Sequence, residues 1–198
     1  MRKHLLPLFL LIAASALLAA PPQAPAGIGT TWKARLAEEL PLLGHRNWIL
    51  IVDSAYPLQS SPGVETVETN EDQVAVVQTV LEAVRGSIHV RPVVTMDAEL
   101  PYVPDQDAPG ASAYRARIAK VLKGLPVDSL PHEKVIATIA EAGSQFHVLV
   151  LKTRLAIPYT SVFIRLDCKY WPAEAERRLR ERMDAVPSPP AGGAATKP

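Results

Sequence analysis

Residues Trp48 to Val52 read Trp-Ile-Leu-Ile-Val, a continuous apolar run with no polar face for solvent. A strand without polar alternation is buried on both faces, as in a parallel sheet covered by helices on each side. Four further segments have strand character, the first of them weakly: 64–69, 87–95, 146–152 and 161–167. The chain therefore predicts a sheet of mostly parallel, largely enclosed strands.

Helical periodicity fills most of the chain between these strands. Helices are predicted over 31–43, 70–84, 114–123 and 132–141, and a loop with three prolines over 97–111. Asn70 is the predicted N-cap of the second helix, with Gln73 three residues later as in a capping box. This order of strands and helices predicts an α/β fold, a three-layer α/β/α sandwich with helices on both faces of a mostly parallel sheet.

Residues 1–26 have the pattern of a secretory signal peptide. Arg2 and Lys3 precede an apolar run that is shorter than the ~20 residues of a membrane-spanning helix. Cleavage is expected after Ala26 or after Ala20, and an uncleaved membrane anchor is the alternative interpretation. The protein is expected to be secreted or periplasmic, with no stable membrane span after processing.

The rest of the chain is expected to form one domain over 27–171, since about 100–200 residues per domain is usual. Residues 172–184 predict a charged terminal helix with Glu–Arg pairs four residues apart and little apolar face. A solvated helix is the favoured interpretation and a partner-binding helix the alternative. Residues 185–198 are rich in Pro, Gly and Ala, which predicts a disordered tail.

Charge and cysteine content exclude several classes of protein. A formal net charge of +1 without a basic stripe argues against a nucleic-acid partner. One cysteine, Cys168, excludes an internal disulfide framework and a cysteine-based zinc site. The sequence has no P-loop, no glycine-rich dinucleotide motif and no metal-type histidine spacing. No cofactor and no metal are therefore expected.

Ligands of such sheets bind outside the carboxyl ends of the strands, which directs attention to polar residues in the turns. The candidates are His45 before the first strand, Asp53 after it, His132 at a helix start, and Tyr159 and Ser161 before the last strand. Each has an ordinary structural interpretation as well: His45 could cap the preceding helix, and Asp53 could be a turn residue. His89 and His147 lie in strand-like segments and are interpreted as structural, and Cys168 as an unreactive strand-end residue.

These segments, taken in order, resemble the ribose pyranase / fucose mutarotase (RbsD/FucU) family. Residues 43–47, Leu-Gly-His-Arg-Asn, are followed by an apolar strand and by Asp53 with a proline four residues later, which resembles the family's opening. Residues 129–133, Ser-Leu-Pro-His-Glu, resemble its His-Glu helix start, and residues 148–164 its closing segment. The similarity runs from about residue 42 to residue 166.

The resemblance implies a monosaccharide ligand and a sugar ring that opens and closes, between anomers or between pyranose and furanose forms. His45 falls on the family's catalytic histidine, Asp53 on its active-site aspartate and His132 on a second active-site histidine. Tyr159 falls on the sugar-contacting tyrosine, and Ser161 stands where the family usually has asparagine. The resemblance also implies a homo-oligomeric ring, with sites shared between neighbouring subunits.

The chemistry suits these residues. Opening a cyclic hemiacetal needs a base at the anomeric hydroxyl and an acid at the ring oxygen, and imidazole serves both because its unperturbed pKa is ~6.5. Asp53 could orient His45 or bind sugar hydroxyls, and Tyr159 offers a hydroxyl and a ring face. Arg154-Leu155 replaces the family's Gly-Glu, which favours a non-catalytic relative that binds a sugar or a protein. A secreted α/β domain that shares only the fold is a third alternative.

Overall fold

A computed structural model describes residues 31–185, so the predicted signal peptide and nearly all of the predicted tail lie outside the described residues. The helices are α1 Trp32–Glu39, α2 Gln73–Gly86, α3 Ala111–Val121, α4 His132–Gln145 and α5 Ala173–Asp184. The strands are β1 Trp48–Val52, β2 Val64–Glu68, β3 Val90–Asp97, β4 Val127–Leu130, β5 Val148–Lys152 and β6 Val162–Cys168. A short 3-10 helix, Leu100–Tyr102, interrupts the loop after β3.

The six strands form one sheet in the order β2-β5-β1-β6-β3-β4. β1, β2 and β5 are mutually parallel, as are β3 and β4, and β6 runs antiparallel to both of its neighbours. Five strands therefore share one direction and β6 alone is reversed, which confirms the predicted mostly parallel sheet. The reversal of β6 brings its first residues to the edge where the other five strands end.

Two apolar cores lie on opposite faces of the sheet, and β1 contributes to both. Ile49 and Ile51 belong to the core that also contains buried residues of α1, α2 and α3. Trp48, Leu50 and Val52 belong to the core that α4 covers. Every residue of β1 is buried because each face of the strand meets a helical layer. The predicted three-layer α/β/α arrangement is confirmed.

The sequence pattern does not predict β4, and it places the end of β3 at Thr95, before the observed end at Asp97. All four residues of β4 are exposed, and the segment Val-Asp-Ser-Leu has no apolar alternation that would distinguish it from a loop. β4 pairs in parallel with the second half of β3, up to the pair Asp97↔Leu130. This pairing keeps the chain extended two residues beyond the predicted end at Thr95, so that Asp97 ends a strand and does not begin a loop.

The N-cap of α2 is Asp72, so the prediction that Asn70 caps this helix is wrong. Asp72 Oδ1 accepts a hydrogen bond from the backbone N–H of Ala75 at 3.2 Å, and its carboxylate also pairs with Arg117. Asn70 lies in a turn two residues earlier with a left-handed φ of 53°. Both residues are common helix caps, and the turn geometry ahead of the helix decides between them.

α5 has no buried residue. Glu–Arg pairs along its surface connect its turns, among them Glu176 with Arg180 at 2.6 Å. Trp171 Nε1 donates to Glu176 at 2.7 Å, which ties the helix to the segment that follows β6. None of the helices described between residues 31 and 185 is both long and apolar enough to cross a membrane.

Candidate functional site

A cavity of about 470 Å³ opens at the carboxyl ends of the parallel strands. Three segments form it: the loop after β1, the first turn of α4 and the loop that leads into β6. Its lining residues are Asp53, Ser54, Ala55, Tyr56, Pro57, His132, Glu133, Ile136, Ala156, Ile157, Pro158 and Tyr159. The structure therefore brings three of the predicted site residues, Asp53, His132 and Tyr159, into one cavity.

Asp53 follows β1 and begins a tight turn. Its Oδ1 accepts a hydrogen bond from the backbone N–H of Ala55 at 2.8 Å, so the turn interpretation of this residue holds as well. Among the described residues, its other carboxylate oxygen makes no hydrogen bond and can accept one from a ligand. The backbone N–H of Ser54 donates to the carbonyl of Leu155 at 2.8 Å, which joins this turn to the loop that leads to β6.

His132 is the first residue of α4, and two carboxylates hold it. Its backbone N–H donates to both oxygens of Glu99, at 3.0 and 3.1 Å, so that Glu99 closes the open N-terminus of the helix. Its ring Nδ1 lies 3.1 Å from Oδ1 of Asp97. The His132 side chain is about one-third exposed, at 31%, and lines the cavity. The ring is therefore fixed on one side by buried protein and open to the cavity on the other.

The Asp97 side chain is fully buried at the end of β3. Among the described residues, its Oδ2 atom has no hydrogen-bond partner. Burial raises the pKa of the Asp97 carboxyl above its usual range, while the hydrogen bond from His132 acts in the opposite direction. An ionised carboxyl in this place depends on His132 because no other side chain bonds to it within the described part of the chain.

Tyr159 lies in the turn before β6 with a left-handed φ of 59°. Its ring meets the ring of His132 edge to face, with the centroids 5.4 Å apart and the planes at 83°. The Tyr159 residue is 38% exposed and lines the cavity. An aromatic ring beside an imidazole and a carboxylate can pack on one face of a flat polar ligand such as a pyranose.

A buried polar network supports both loops of the cavity. Gln73 of α2 donates to the carbonyl of Thr160, which also accepts a hydrogen bond from the Tyr114 hydroxyl at 2.6 Å. The Thr153 hydroxyl lies within hydrogen-bond distance of Gln73 Oε1, at 3.0 Å, and of the Val52 carbonyl, at 2.9 Å. Thr160 is the neighbour of Tyr159 and Val52 the neighbour of Asp53, so one network positions both residues.

Two of the predicted site residues do not lie in the cavity. Ser161 is 1% exposed at the start of β6 and is not among the lining residues. His45 is exposed in the turn before β1, and the neighbouring Arg46 N–H bonds to the carbonyl of Leu166 near the far end of β6. The prediction that the turn of His45 joins the others at the carboxyl ends is wrong within one chain. A five-residue strand spans on the order of 15 Å at about 3.3 Å per residue, so β1 separates His45 from the cavity.

The histidines predicted to be structural have structural contacts. His89 Nε2 lies 3.0 Å from the carbonyl of Leu43. His147 Nε2 lies 3.4 Å from Glu39 and 4.0 Å from Glu65, and these are the three described residues whose ligand atoms lie close enough to hold one metal ion. Arg35 bonds to both carboxylates at 2.6 Å, so its guanidinium already supplies a cation there. This cluster is an ion-pair network at the amino end of the sheet, away from the cavity.

Sequence reasoning missed Asp97 and Glu99. Asp97 stands at the end of a largely apolar strand, just as Asp53 stands directly after β1. The sequence pattern predicts that β3 ends at Thr95; had it placed the end at Asp97, the rule that polar residues at strand ends are candidates would have selected Asp97 too. Glu99 carries no local signal because it caps a helix that begins 33 residues later.

Comparison with known proteins gives one family. Residues 27–167 match the model of the RbsD / FucU transport protein family. A search of curated proteins found no match to the sequence.

The search of solved structures found several matches. RbsD of Bacillus subtilis, complexed with D-ribose, is 14% identical with a TM-score of 0.48, over 73% of this chain and 97% of that chain. FucU from Bifidobacterium longum is 15% identical with a TM-score of 0.47, over 67% and 93%. The fucose mutarotase of Streptococcus pneumoniae in complex with L-fucose is 17% identical with a TM-score of 0.45, over 67% and 91%.

Proposed function

Because this chain belongs to the RbsD / FucU family, we propose that it catalyses the opening and closing of a monosaccharide ring. The observation that carries the proposal is the cavity at the carboxyl ends, where the imidazole of His132, the carboxylate of Asp53 and the ring of Tyr159 face one space. Apolar residues such as Ile136 and Ile157 complete its walls. A few polar groups on an apolar wall are typical of a small-molecule site.

The reaction needs two proton transfers at a hemiacetal. A base removes the proton of the anomeric hydroxyl, the bond between the anomeric carbon and the ring oxygen breaks, and an acid protonates that ring oxygen. The open-chain carbonyl form then rotates and closes by the reverse steps, which gives the other anomer or ring size. His132 transfers one of these protons, Asp53 binds sugar hydroxyls, and Tyr159 packs on the sugar ring.

His45 supplies the second proton-transfer group from a neighbouring subunit. It is exposed and lies at the opposite end of β1 from the cavity of its own chain, so only another copy can bring it to Asp53 and His132. A closed homo-oligomer repeats one contact around its symmetry axis, and each cavity then receives one such histidine. This arrangement agrees with the ring assembly and shared sites that the family resemblance implies.

The first experiment is an NMR saturation-exchange screen of common aldoses. We expect the wild type to speed the exchange of at least one sugar and His132→Ala to lower that rate by ~10²–10⁴-fold, the usual contribution of a positioned acid or base. His89→Ala is the matched control because His89 bonds to a backbone carbonyl outside the cavity. Equal rates for His132→Ala and wild type would contradict the assigned role.

The second experiment tests the shared site. His45→Ala and His132→Ala are each expected to be inactive alone. When the two variants are co-expressed, a site with both histidines forms in about one quarter of the cavities of a randomly mixed ring, and activity returns to that extent. Light scattering of the wild type is expected to show an oligomer. A monomer, or a mixture that stays inactive, would contradict the shared site.

A non-catalytic relative that binds a sugar or a protein is the second candidate. It is favoured by the two positions where the chain departs from the family pattern. Arg154 lines a different cleft, beside Asp72 and Gln73, and Ser161 is buried and does not line the cavity. Neither position adds a polar group to the cavity. Sugar binding in the same NMR screen without any exchange above background would favour this second function.

A further inference from the structure

The buried carboxyl group of Asp97 lies directly behind the His132 ring. Asp97 does not line the cavity, and its carboxylate contacts the imidazole of His132, which does. The proposed function assigns no role to this residue, and the sequence placed it in a loop. Because its side chain has no exposed surface, solvent does not reach the carboxylate from behind.

We propose that Asp97 is a positioning residue that holds His132 in one tautomer, with the proton on Nδ1 and the lone pair of Nε2 facing the cavity. When the Asp97 carboxyl is ionised it only accepts hydrogen bonds, so the ring nitrogen 3.1 Å away then carries the hydrogen. In the neutral imidazole the other nitrogen then carries the lone pair. This inference rests on the proposed function for its role in the reaction, while the tautomer itself does not depend on any substrate.

Three contacts allow the ring little freedom to adopt another geometry. Glu99 holds the backbone N–H of His132, Asp97 lies at Nδ1, and the ring of Tyr159 meets the imidazole edge to face. With the side chain fixed at both its backbone and its Nδ1, a ring flip would place a carbon against a buried carboxylate. Nε2 is therefore the nitrogen that a sugar hydroxyl in the cavity would meet.

The consequence is a base that is ready before the substrate binds. An imidazole in solution samples both tautomers and many orientations, whereas one held by a carboxylate presents its lone pair in a fixed direction. Asp97 acts on the reaction only through His132, so its loss should lower kcat and leave KM nearly unchanged.

The tautomer can be measured directly in the full chain by ¹⁵N NMR of its histidine rings above pH 8, without a substrate. We expect Nδ1–H for His132 in the wild type. In Asp97→Asn the amide N–H can donate to Nδ1, and in Asp97→Ala no partner remains, so both variants should shift His132 towards Nε2–H. Asp53→Asn is the matched control, because Asp53 lines the same cavity and makes no bond to the His132 ring. His89 is an internal reference: its Nε2 lies beside the Leu43 carbonyl and should carry hydrogen in every variant.

The outcomes separate this inference from the proposed function. Nε2–H in the wild type, or Nδ1–H retained in both Asp97 variants, would overturn the tautomer assignment. If the tautomer shifts as expected and a sugar is turned over, Asp97→Asn should lower kcat by ~10²-fold or more with little change in KM. An unchanged kcat would overturn the positioning role. A shifted tautomer in a protein that exchanges no sugar would leave the assignment standing and contradict the proposed function.

Discussion

Among single residues, Asp97 contacts the ring of His132 but lowers the stability of the fold. Its side chain is fully buried, and one of its oxygens has no partner among the described residues. An unpaired buried polar atom costs about 1–3 kcal/mol, and more when it is charged. Residues of this kind are retained at functional sites when the surrounding structure compensates for them.

We predict that Asp97→Asn raises the free energy of unfolding at pH 8. Burial raises the pKa of Asp97 in the folded protein, so this carboxyl stabilises the fold most below its unfolded pKa of ~3.9. That contribution is lost as the pH rises through the folded pKa, because the folded state then holds a buried charge. The neutral amide avoids this loss. The difference in the free energy of unfolding between Asp97→Asn and the wild type should therefore grow from pH 4 to pH 8, where it reaches on the order of 1 kcal/mol.

Urea denaturation at the two pH values, at one protein concentration, measures this difference. Asp128→Asn on the exposed strand β4 is the control, because a solvated carboxylate gains nothing from the change. A stability gain that shrinks as the pH rises would contradict the prediction.

At the scale of elements, the close approach of β2, α4 and β5 depends on Gly63. Its N–H donates to the carbonyl of Gly143 at 3.2 Å, and its own carbonyl accepts from Val148 N–H at 2.8 Å. A Cβ atom on Gly63 would lie 2.5 Å from the carbonyl oxygen of Phe146 and 2.6 Å from that of Gly143. Both obstacles are backbone atoms, so they cannot move aside as a flexible side chain would.

Gly63→Ala should destabilise the protein by about 1–3 kcal/mol, the usual cost of inserting a group into a packed region. Gly86→Ala is the matched substitution at the last residue of α2, where a Cβ meets nothing within 4 Å. It should stabilise the protein by up to about 1 kcal/mol through helix propensity. The urea concentrations at the midpoints of unfolding of the two variants and the wild type measure both stability changes. Equal stability of Gly63→Ala and wild type would refute the close-approach argument.

At the scale of the whole molecule, α5 stands apart from the two cores. None of its residues is buried, and the Glu–Arg pairs on its surface are partly exposed. Exposed ion pairs contribute little to the stability of a fold, although they help an isolated helix to form. The sheet, its two helical layers and the cavity are all complete before α5 begins.

Removal of residues 173–198 should therefore change the free energy of unfolding by less than about 0.5 kcal/mol, as for other surface changes. The truncated and full-length proteins should also assemble from the same number of subunits, as judged by light scattering. Chemical denaturation at matched concentration, together with that sizing, checks both expectations. A smaller assembly after truncation would contradict the solvated interpretation and favour α5 as a partner-binding helix.

Local residue patterns are enough to predict the enclosed sheet and several of the cavity residues. A continuous apolar run such as 48–52 can be buried only on both faces, and this is a local property of the residues. Asp53, His132 and Tyr159 stand next to the ends of elements, where local spacing already places polar groups. Their order along the chain also carried the resemblance to the family that the comparison then matched.

Which ends of the elements meet depends on the directions and pairing of the strands in the folded sheet. The reversed direction of β6 brings Tyr159 to Asp53 and His132, and the parallel direction of β1 takes His45 away from them. Asp97 and His132 lie 35 positions apart in the chain. They meet because pairing with the edge strand β4, which has no sequence signal of its own, extends β3 as far as Asp97. Strand direction and strand pairing depend on packing across the whole sheet, and no local spacing of residues contains that information.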